Sequence, residues 1–445
     1  MTLAQLTARE AARQTRAGET TSEALVAACL ERIAAVDEEI QAWTHFDRNY
    51  ALEQARRLDE RRKSGAACGP LHGVPVGVKD IYDTTDFPTE NGTPLNAGRR
   101  PERDATVVAL LRQAGAVIMG KTVTTELAVY SPGKTRNPHD ATRTPGGSSS
   151  GSAAAIASHM VPLALGSQTN GSVIRPAAYC GVVGYKPTHG LISRSGVLAL
   201  SRSLDTVGFF ARDVEDVALL ADALAGFDAG DPDMKPQSPP RLAEIAAESP
   251  PVTPHFAFVK SPVWEHADAD TREGFAEIVA FLDEGCDEVT LPEPFNRAVD
   301  WHRTVMCADM AKNLQSLYAR GKERLSDVIR GMIEDGQRTL ALDYLQALAW
   351  RDVLNVGLEE IFERYDVIVT PAAPGEAPKG LDATGNPIFC SLWTFCGVPA
   401  ISLPIMQGSN GLPIGVQLVG QRGQDGRLLR AARWFMDRVR EEHNA

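Results

Sequence analysis

Residues 144–157 read Thr-Pro-Gly-Gly-Ser-Ser-Ser-Gly-Ser-Ala-Ala-Ala-Ile-Ala, with four serines and three glycines packed into positions 146–152. Gly/Ser-rich composition usually marks a disordered tether. The flanks argue against a tether, because chemistry-bearing motifs stand on both sides of the loop.

Three chemistries use a loop of this kind. A phosphate cradle opens a helix with free backbone N–H groups. A P-loop, however, closes on Gly-Lys-Ser/Thr, whereas this loop closes on Gly151-Ser152-Ala153 without a lysine. A nucleophile elbow is matched formally by Gly147-Ser148-Ser149-Ser150-Gly151. That motif needs a hydrophobic strand before it, where the chain has the turn-rich NPHDATRTP, and a partner histidine, which no context singles out. The third chemistry needs a second serine. The stretch GSQTNGSVIRPAAYCGVVGYKPT (166–188) supplies Ser172 after Asn170-Gly171, a dipeptide suited to a turn that exposes successive N–H groups. Two serine turns and a lysine at a strand end make a base relay without histidine, the Ser-Lys variant of nucleophilic hydrolysis.

Working outward, LHGVPVGVKD (71–80) sets Val74, Val76 and Val78 in the two-residue period of a strand that ends at Lys79. Asp104 reads as the cap of a helix through Val107, Val108, Leu110 and Leu111, which stops at Gly115 and feeds a strand at 116–120. This strand-helix-strand unit predicts a largely parallel sheet. A second unit comprises FAFVK (256–260), a helix over about 268–283 and a strand at 287–291. YDVIVTP (365–371) reads as a strand buried on both faces. Near the N-terminus, Thr20 and Glu23 form a capping box for a helix through Leu25, Val26, Cys29, Ile33 and Val36. The Pro-, Asp- and Ser-rich residues 229–254 read as a surface connection between two halves of the sheet.

Composition narrows the partners. The 445 residues carry a net charge of −12 with lysines and arginines scattered, which argues against nucleic acid and anionic membranes. The best apolar run, Ala153 to Leu165, is interrupted by Ser158, His159 and Pro162, so no membrane span is expected. Seven widely spaced cysteines with no Cys-x-x-Cys pair suggest reduced thiols and a cytoplasmic protein. No metal cluster, nucleotide fingerprint or cofactor lysine is apparent, so a cofactor-free reaction is expected.

GVPVGVKD, PGGSSSGSAAAIA, SQTNGSVIRPAAYCGVVGYKPTHG, SLDTVGFFARDVEDVALL, YDVIVTP and GVPAISLP together resemble, in order and spacing, the amidase signature family. The resemblance runs from about residue 20 to 430. It implies an α/β/α sandwich in which a large, twisted, mixed but mostly parallel sheet is covered by helices on both faces. It further implies a single domain over 1–445: a helical region to about 65, a signature core over about 70–215, the connection at about 229–254 and the second half of the sheet over about 255–445.

The resemblance places a Ser-cisSer-Lys triad on Ser172 as nucleophile, Ser148 as bridging serine and Lys79 as base. Lys79 then has to be neutral to accept a proton through Ser148, and desolvation at an apolar strand end supplies the shift from an ordinary lysine pKa near ~10.4. The backbone N–H groups of Thr169, Asn170, Gly171 and Ser172 would form the oxyanion hole. Gln168, Cys390 and Trp393 are expected at the substrate pocket. Most members of the family carry Asp where Gln168 stands, Gly where Asn170 stands and Arg two residues after the nucleophile, where this chain has Ile174 followed by Arg175. These departures should alter pocket shape and leave proton transfer intact. Ser149, Ser150 and Ser152 read as helix-opening acceptors. The expected function is hydrolysis of a C–N bond in a small-molecule amide, aryl amide or carbamate through an acyl-enzyme on Ser172, with apolar, aromatic substrates favoured by the surroundings of Trp393. The alternatives are a glutamine-amidase component of an amidotransferase complex and a non-catalytic scaffold. Nothing in the sequence sets the oligomeric state.

Overall fold

The computed structural model describes residues 2–444. Its strands are β1 (Trp43–Phe46), β2 (Pro75–Lys79), β3 (Val117–Thr122), β4 (Leu163–Gln168), β5 (Val183–Lys186), β6 (Thr206–Ala211), β7 (Phe256–Val259), β8 (Cys286–Val289), β9 (Val367–Pro371), β10 (Ala400–Gln407) and β11 (Pro413–Val419). They form one eleven-stranded sheet in the order β1-β3-β2-β4-β6-β5-β10-β11-β9-β7-β8.

Alternation along the strands builds two cores. Leu163 and Leu165 belong to one apolar cluster and Ala164 to another; Ile118 and Phe209 share the first, while Val117, Met119 and Phe210 share the second. The first cluster takes in Val107, Val108 and Leu111 of the Thr106–Gln113 helix and Val217 and Leu220 of the Val214–Leu224 helix. The second takes in Val26, Cys29 and Ile33 of the Ser22–Ile40 helix and Ala153–Ile156 of the Ser150–Ala157 helix. Helices therefore cover both faces, as expected for the sandwich.

The sheet is mixed, but less parallel than expected. Parallel pairing is confined to two wings, β3-β2-β4 and β9-β7-β8, while every pairing from β4 through β6, β5, β10 and β11 to β9 is antiparallel. The wings are the strand-helix-strand units visible in the sequence. The antiparallel centre is assembled by long connections and the β10–β11 hairpin, which leave no such signature.

Local details also differ from expectation. The helical region to about 65 holds three α-helices, Ala8–Ala17, Ser22–Ile40 and Arg48–Lys63, the first two separated by Gly18 at φ +75 and the last two by β1. The cap of the second is Thr21, which accepts from Ala24 N–H; Thr20 is not the cap, and Glu23 pairs with Arg56 across the surface. Asp104 does not cap either: the helix starts at Thr106, and the Asp104 carboxylate accepts from Thr85 N–H and Arg112 Nε. Residues 229–254 include a short helix, Leu242–Ala247, packed on the C-terminal helix. No helix among the described residues is long and apolar enough to cross a membrane.

Candidate active site

The parallel wing β3-β2-β4 brings three motifs together. Lys79 ends β2, the serine loop runs from β3 toward the helix that returns to β4, and β4 ends at Gln168, immediately before the turn Thr169–Ser172. The serines fasten the loop to the sheet. Ser149 Oγ takes the Ser167 N–H at 3.2 Å, and Ser152 Oγ donates to the Leu165 carbonyl at 2.7 Å and meets Thr122 Oγ1 at 2.7 Å. Ser150 Oγ donates to the Val123 carbonyl. None of the three caps the helix they open, contrary to the sequence reading, because the flanking strands present backbone groups closer at hand.

The Gly147–Ser148 peptide bond is cis. Arg175, fully buried, fixes this point from the far side: its guanidinium donates to the carbonyl of Gly147 at 2.7 Å, to that of Gly385 at 2.9 Å and to Thr384 Oγ1 at 3.1 Å. Ser148 is buried at the centre, and Lys79 Nζ lies 2.7 Å from its Oγ and 2.9 Å from Ser167 Oγ.

Among the described residues three lysines are fully buried, and their partners differ in kind. Lys121 Nζ lies 3.2 Å from an Asp80 carboxylate oxygen and donates to the Tyr82 carbonyl and Thr89 Oγ1. Lys186 Nζ donates to the Pro187 and Val398 carbonyls at 2.9 and 2.6 Å, acceptors that suit an ammonium. Lys79 has only hydroxyls, which donate as readily as they accept and so can serve a neutral amine. Burial pushes the Lys79 amine well below the ordinary lysine range, opposed by the nearby Asp205 carboxylate.

Among the described residues no hydrogen bond joins Ser148 Oγ to Ser172 Oγ; Ser148 Oγ meets Lys79 Nζ. The turn Thr169–Ser172 uses none of its four backbone N–H groups in a hydrogen bond among the described residues. It is built for this state. Gln168 Oε1 accepts from Val173 and Ile174 N–H at 2.8 and 3.0 Å while its Nε2 donates to Thr394 Oγ1. Asn170 Nδ2 donates to Tyr130 Oη, Ser391 Oγ donates to Asn170 Oδ1, and Thr394 Oγ1 donates to the Asn170 carbonyl. A side chain on Gly171 would stand 2.9 Å from Pro387 Cβ and 3.0 Å from Cys390 Sγ, so any larger residue forces the turn or the Ile388–Cys396 helix to shift.

Two cavities flank the turn. One, of about 280 Å³, reaches Ser167 and Thr169 and is walled by Ile81, Val197, Leu198 and Val207 together with the charged Arg194, Arg202, Asp205, Asp231 and Lys312. The other, of about 530 Å³, reaches Asn170 and is walled by Val299, Met306, Val328, Met332 and Ile388, with Arg303 and Asp382 as its charged groups. Gln168, Cys390 and Trp393 line neither. Gln168 is spent on the turn, and the Ile388–Cys396 helix faces the larger cavity with Ile388 and Ser391, so Cys390 and Trp393 fall on its core side. Ser167, Tyr130, Asp205 and His302 were not anticipated. Ser167 was accessible to alternation, one residue before Gln168; the others meet the turn from distant segments.

Comparison with known proteins agrees with the geometry. A glutamyl-tRNA(Gln) amidotransferase subunit of Symbiobacterium thermophilum is 35% identical over 96% of this chain and 96% of its own length. The peptide amidase of Stenotrophomonas maltophilia superposes with a TM-score of 0.86 at 28% identity, covering 98% of this chain and 97% of that one. A chain from a vestigial complex tied to the origins of an s-triazine catabolic enzyme superposes with a TM-score of 0.90 at 28% identity, covering 97% and 98%. The amidase family pattern matches residues 24–429. With that match over nearly the whole length, the chain belongs to the amidase family, whose chemistry is cleavage of amide C–N bonds.

Proposed function

We propose that this protein hydrolyses linear amides, aryl amides or carbamates through an acyl-enzyme on Ser172. The observation that carries the reading is Lys79: a fully buried amine held by two hydroxyls, with no carboxylate in ion-pairing distance among the described residues. Neutral Lys79 takes the Ser148 proton as Ser148 takes that of Ser172, and the Ser172 oxygen bonds to the substrate carbonyl carbon. The carbonyl oxygen gathers negative charge, which the free N–H groups of Thr169, Asn170 and Gly171 receive. The same relay returns the proton to the leaving amine or alcohol, and water, activated by the amine along the same path, releases the acid. We place the 1–445 chain in one domain for this purpose, since the site draws on residues from Lys79 to Thr394.

The apolar side chains that share both linings with charged ones favour a substrate with apolar groups on one or both sides of the scissile bond. The second reading, glutamine hydrolysis for a partner protein, is favoured by the amidotransferase relative. The larger cavity offers one cation and one anion, Arg303 and Asp382, to the zwitterionic end of glutamine, beside walls that are otherwise mostly apolar. The test is a panel of p-nitroanilide, simple amide, urea, aryl carbamate and glutamine substrates on the wild type and on Ser172→Ala. Turnover of the apolar substrates that vanishes in Ser172→Ala is expected. Undiminished turnover in that variant rules out the nucleophile, and activity on glutamine alone selects the second reading.

A further inference from the structure

β4 and β6 pair antiparallel, with Ser167 opposite Val207 and Gln168 opposite Thr206. One step further in that register sets Thr169 opposite Asp205, and their side chains meet: Thr169 Oγ1 donates to Asp205 Oδ1 at 2.6 Å. Alternation puts Thr169 on the face of Ser167, the second partner of Lys79, while Gln168 points to the opposite face. The other Asp205 oxygen accepts from Leu200 and Ser201 N–H at 2.8 and 2.9 Å, so the carboxylate is anchored on its own loop. From the other side, His302 Nε2 lies 2.9 Å from the Thr169 carbonyl. Thr169 is thus held by side chain and by backbone, leaving its N–H unspent.

We propose that Asp205 is a positioning residue for amide hydrolysis: it fixes the oxyanion turn through Thr169, and its negative charge bears on the Lys79 amine across the same face of the sheet. The inference rests on the acyl-enzyme reading above. Other charged groups around Asp205 are already occupied or stand apart. Arg194 donates to the Asp205 carbonyl but is neutralised by Asp231 and Asp233, and Arg202 pairs with Asp233. Asp309 accepts from Ser201 Oγ, and Lys312 stands on the cavity wall. Lys79 itself hydrogen-bonds Ser148 and Ser167 alone, and Asp205, outside ion-pairing distance, is the carboxylate whose charge acts on it. Burial raises the Asp205 carboxyl to about 6, against the hydrogen bonds from Thr169 Oγ1 and the Leu200 and Ser201 N–H groups, which favour the anion.

Asp205→Asn removes the charge and, with its oxygen kept on the Leu200 and Ser201 N–H groups, turns an amide N–H toward Thr169 Oγ1, a hydroxyl that can accept in place of donating; Thr169→Val removes the hydroxyl and leaves the charge. Each is expected to lower kcat about ten- to a hundredfold with little change in KM, less than the loss of an entire oxyanion donor. Only Asp205→Asn should also move the acid limb of kcat/KM to lower pH. The sign follows because an anion favours the ammonium form of Lys79, and its removal frees the amine at lower pH. Thr169→Ser, which retains the hydroxyl, should restore kcat. A carboxylate that merely holds the fold would lower the melting temperature of Asp205→Asn without moving the limb, and that result overturns the proposal. So does wild-type kcat in Thr169→Val, a test that leaves Asp205 untouched. Ser172→Ala run alongside separates the failures: active Ser172→Ala removes the mechanism, whereas inactive Ser172→Ala with unaltered Asp205→Asn removes only this inference.

Discussion

Lys79 Nζ lies 2.7 Å from Ser148 Oγ, and among the described residues no carboxylate comes within ion-pairing distance of it. The neighbouring lysine of the same wing, Lys121, has one in Asp80. The contrast separates a charge that is kept from a proton that can be given up: an ion pair stabilises the ammonium, whereas hydroxyl partners in a desolvated site do not.

Lys79→Met and Lys79→Arg are both expected to lower kcat/KM by about 10²–10⁴, the usual worth of a general base. The arginine is the sharper test, since a guanidinium stays protonated and keeps a donor at the site. For the wild type, activity should rise with pH and level off below the range where an ordinary lysine titrates, because burial depresses this amine. Stopped-flow acylation across pH reads both. An active Lys79→Arg, or a limb at the ordinary lysine position, contradicts the relay.

Lys186 gives a pH dependence of stability separate from catalysis. Burial lowers its amine to about 7, while the unfolded chain titrates near ~10.4. Between those values the unfolded state holds a proton that the folded state has released, so unfolding stability rises with pH, by at most ~1.4 kcal/mol per unit. Urea midpoints of the wild type should therefore climb from pH 7 to pH 9 relative to those of Lys186→Met. Parallel curves for the two proteins would remove the argument.

Gly171→Ala tests the seat of the turn. The added methyl would stand 2.9 Å from Pro387 Cβ and 3.0 Å from Cys390 Sγ, so the turn or the Ile388–Cys396 helix must yield. Overpacking of this kind costs about 1–3 kcal/mol, and displacement of the N–H groups should lower kcat about tenfold or more. Unchanged kcat together with an unchanged melting temperature would show that the turn tolerates the methyl.

What the sequence disclosed of this site depends on range. The strand ending at Lys79 was readable from a two-residue period and the turns of Ser148 and Ser172 from their residue types, while a family resemblance set the three together as a triad. The parallel wings were readable because each is a local strand-helix-strand unit. The antiparallel centre was not, since β5, β6 and β10 meet only in three dimensions. The same limit hid His302, 133 residues from the carbonyl it holds, and Tyr130, 40 residues from Asn170. Asp205 stood inside a quoted motif, SLDTVGFF, yet its role appears only once the β4–β6 register is known. The serines misled for a different reason. Ser149, Ser150 and Ser152 open a helix, but their hydroxyls are drawn to the backbones of adjacent strands, an option composition does not reveal.

Val328→Trp tests which side of the scissile bond the larger cavity serves. Val328 lines its mouth near the start of the Asp327–Arg338 helix and is 47% exposed, so an indole there narrows the 530 Å³ space without entering a packed core. If aryl groups occupy this cavity, kcat/KM for p-nitroanilides should fall about tenfold or more, while a small amide that leaves the cavity empty changes little. Varying the acyl group and the leaving amine separately then assigns the cavity: the half of the substrate whose bulk is penalised is the half that enters it. Equal losses for small and bulky substrates would mean that the indole perturbs the oxyanion turn through Asn170. Equal rates throughout would send the substrate to the smaller cavity beside Thr169, walled by Ile81, Val197 and Leu198.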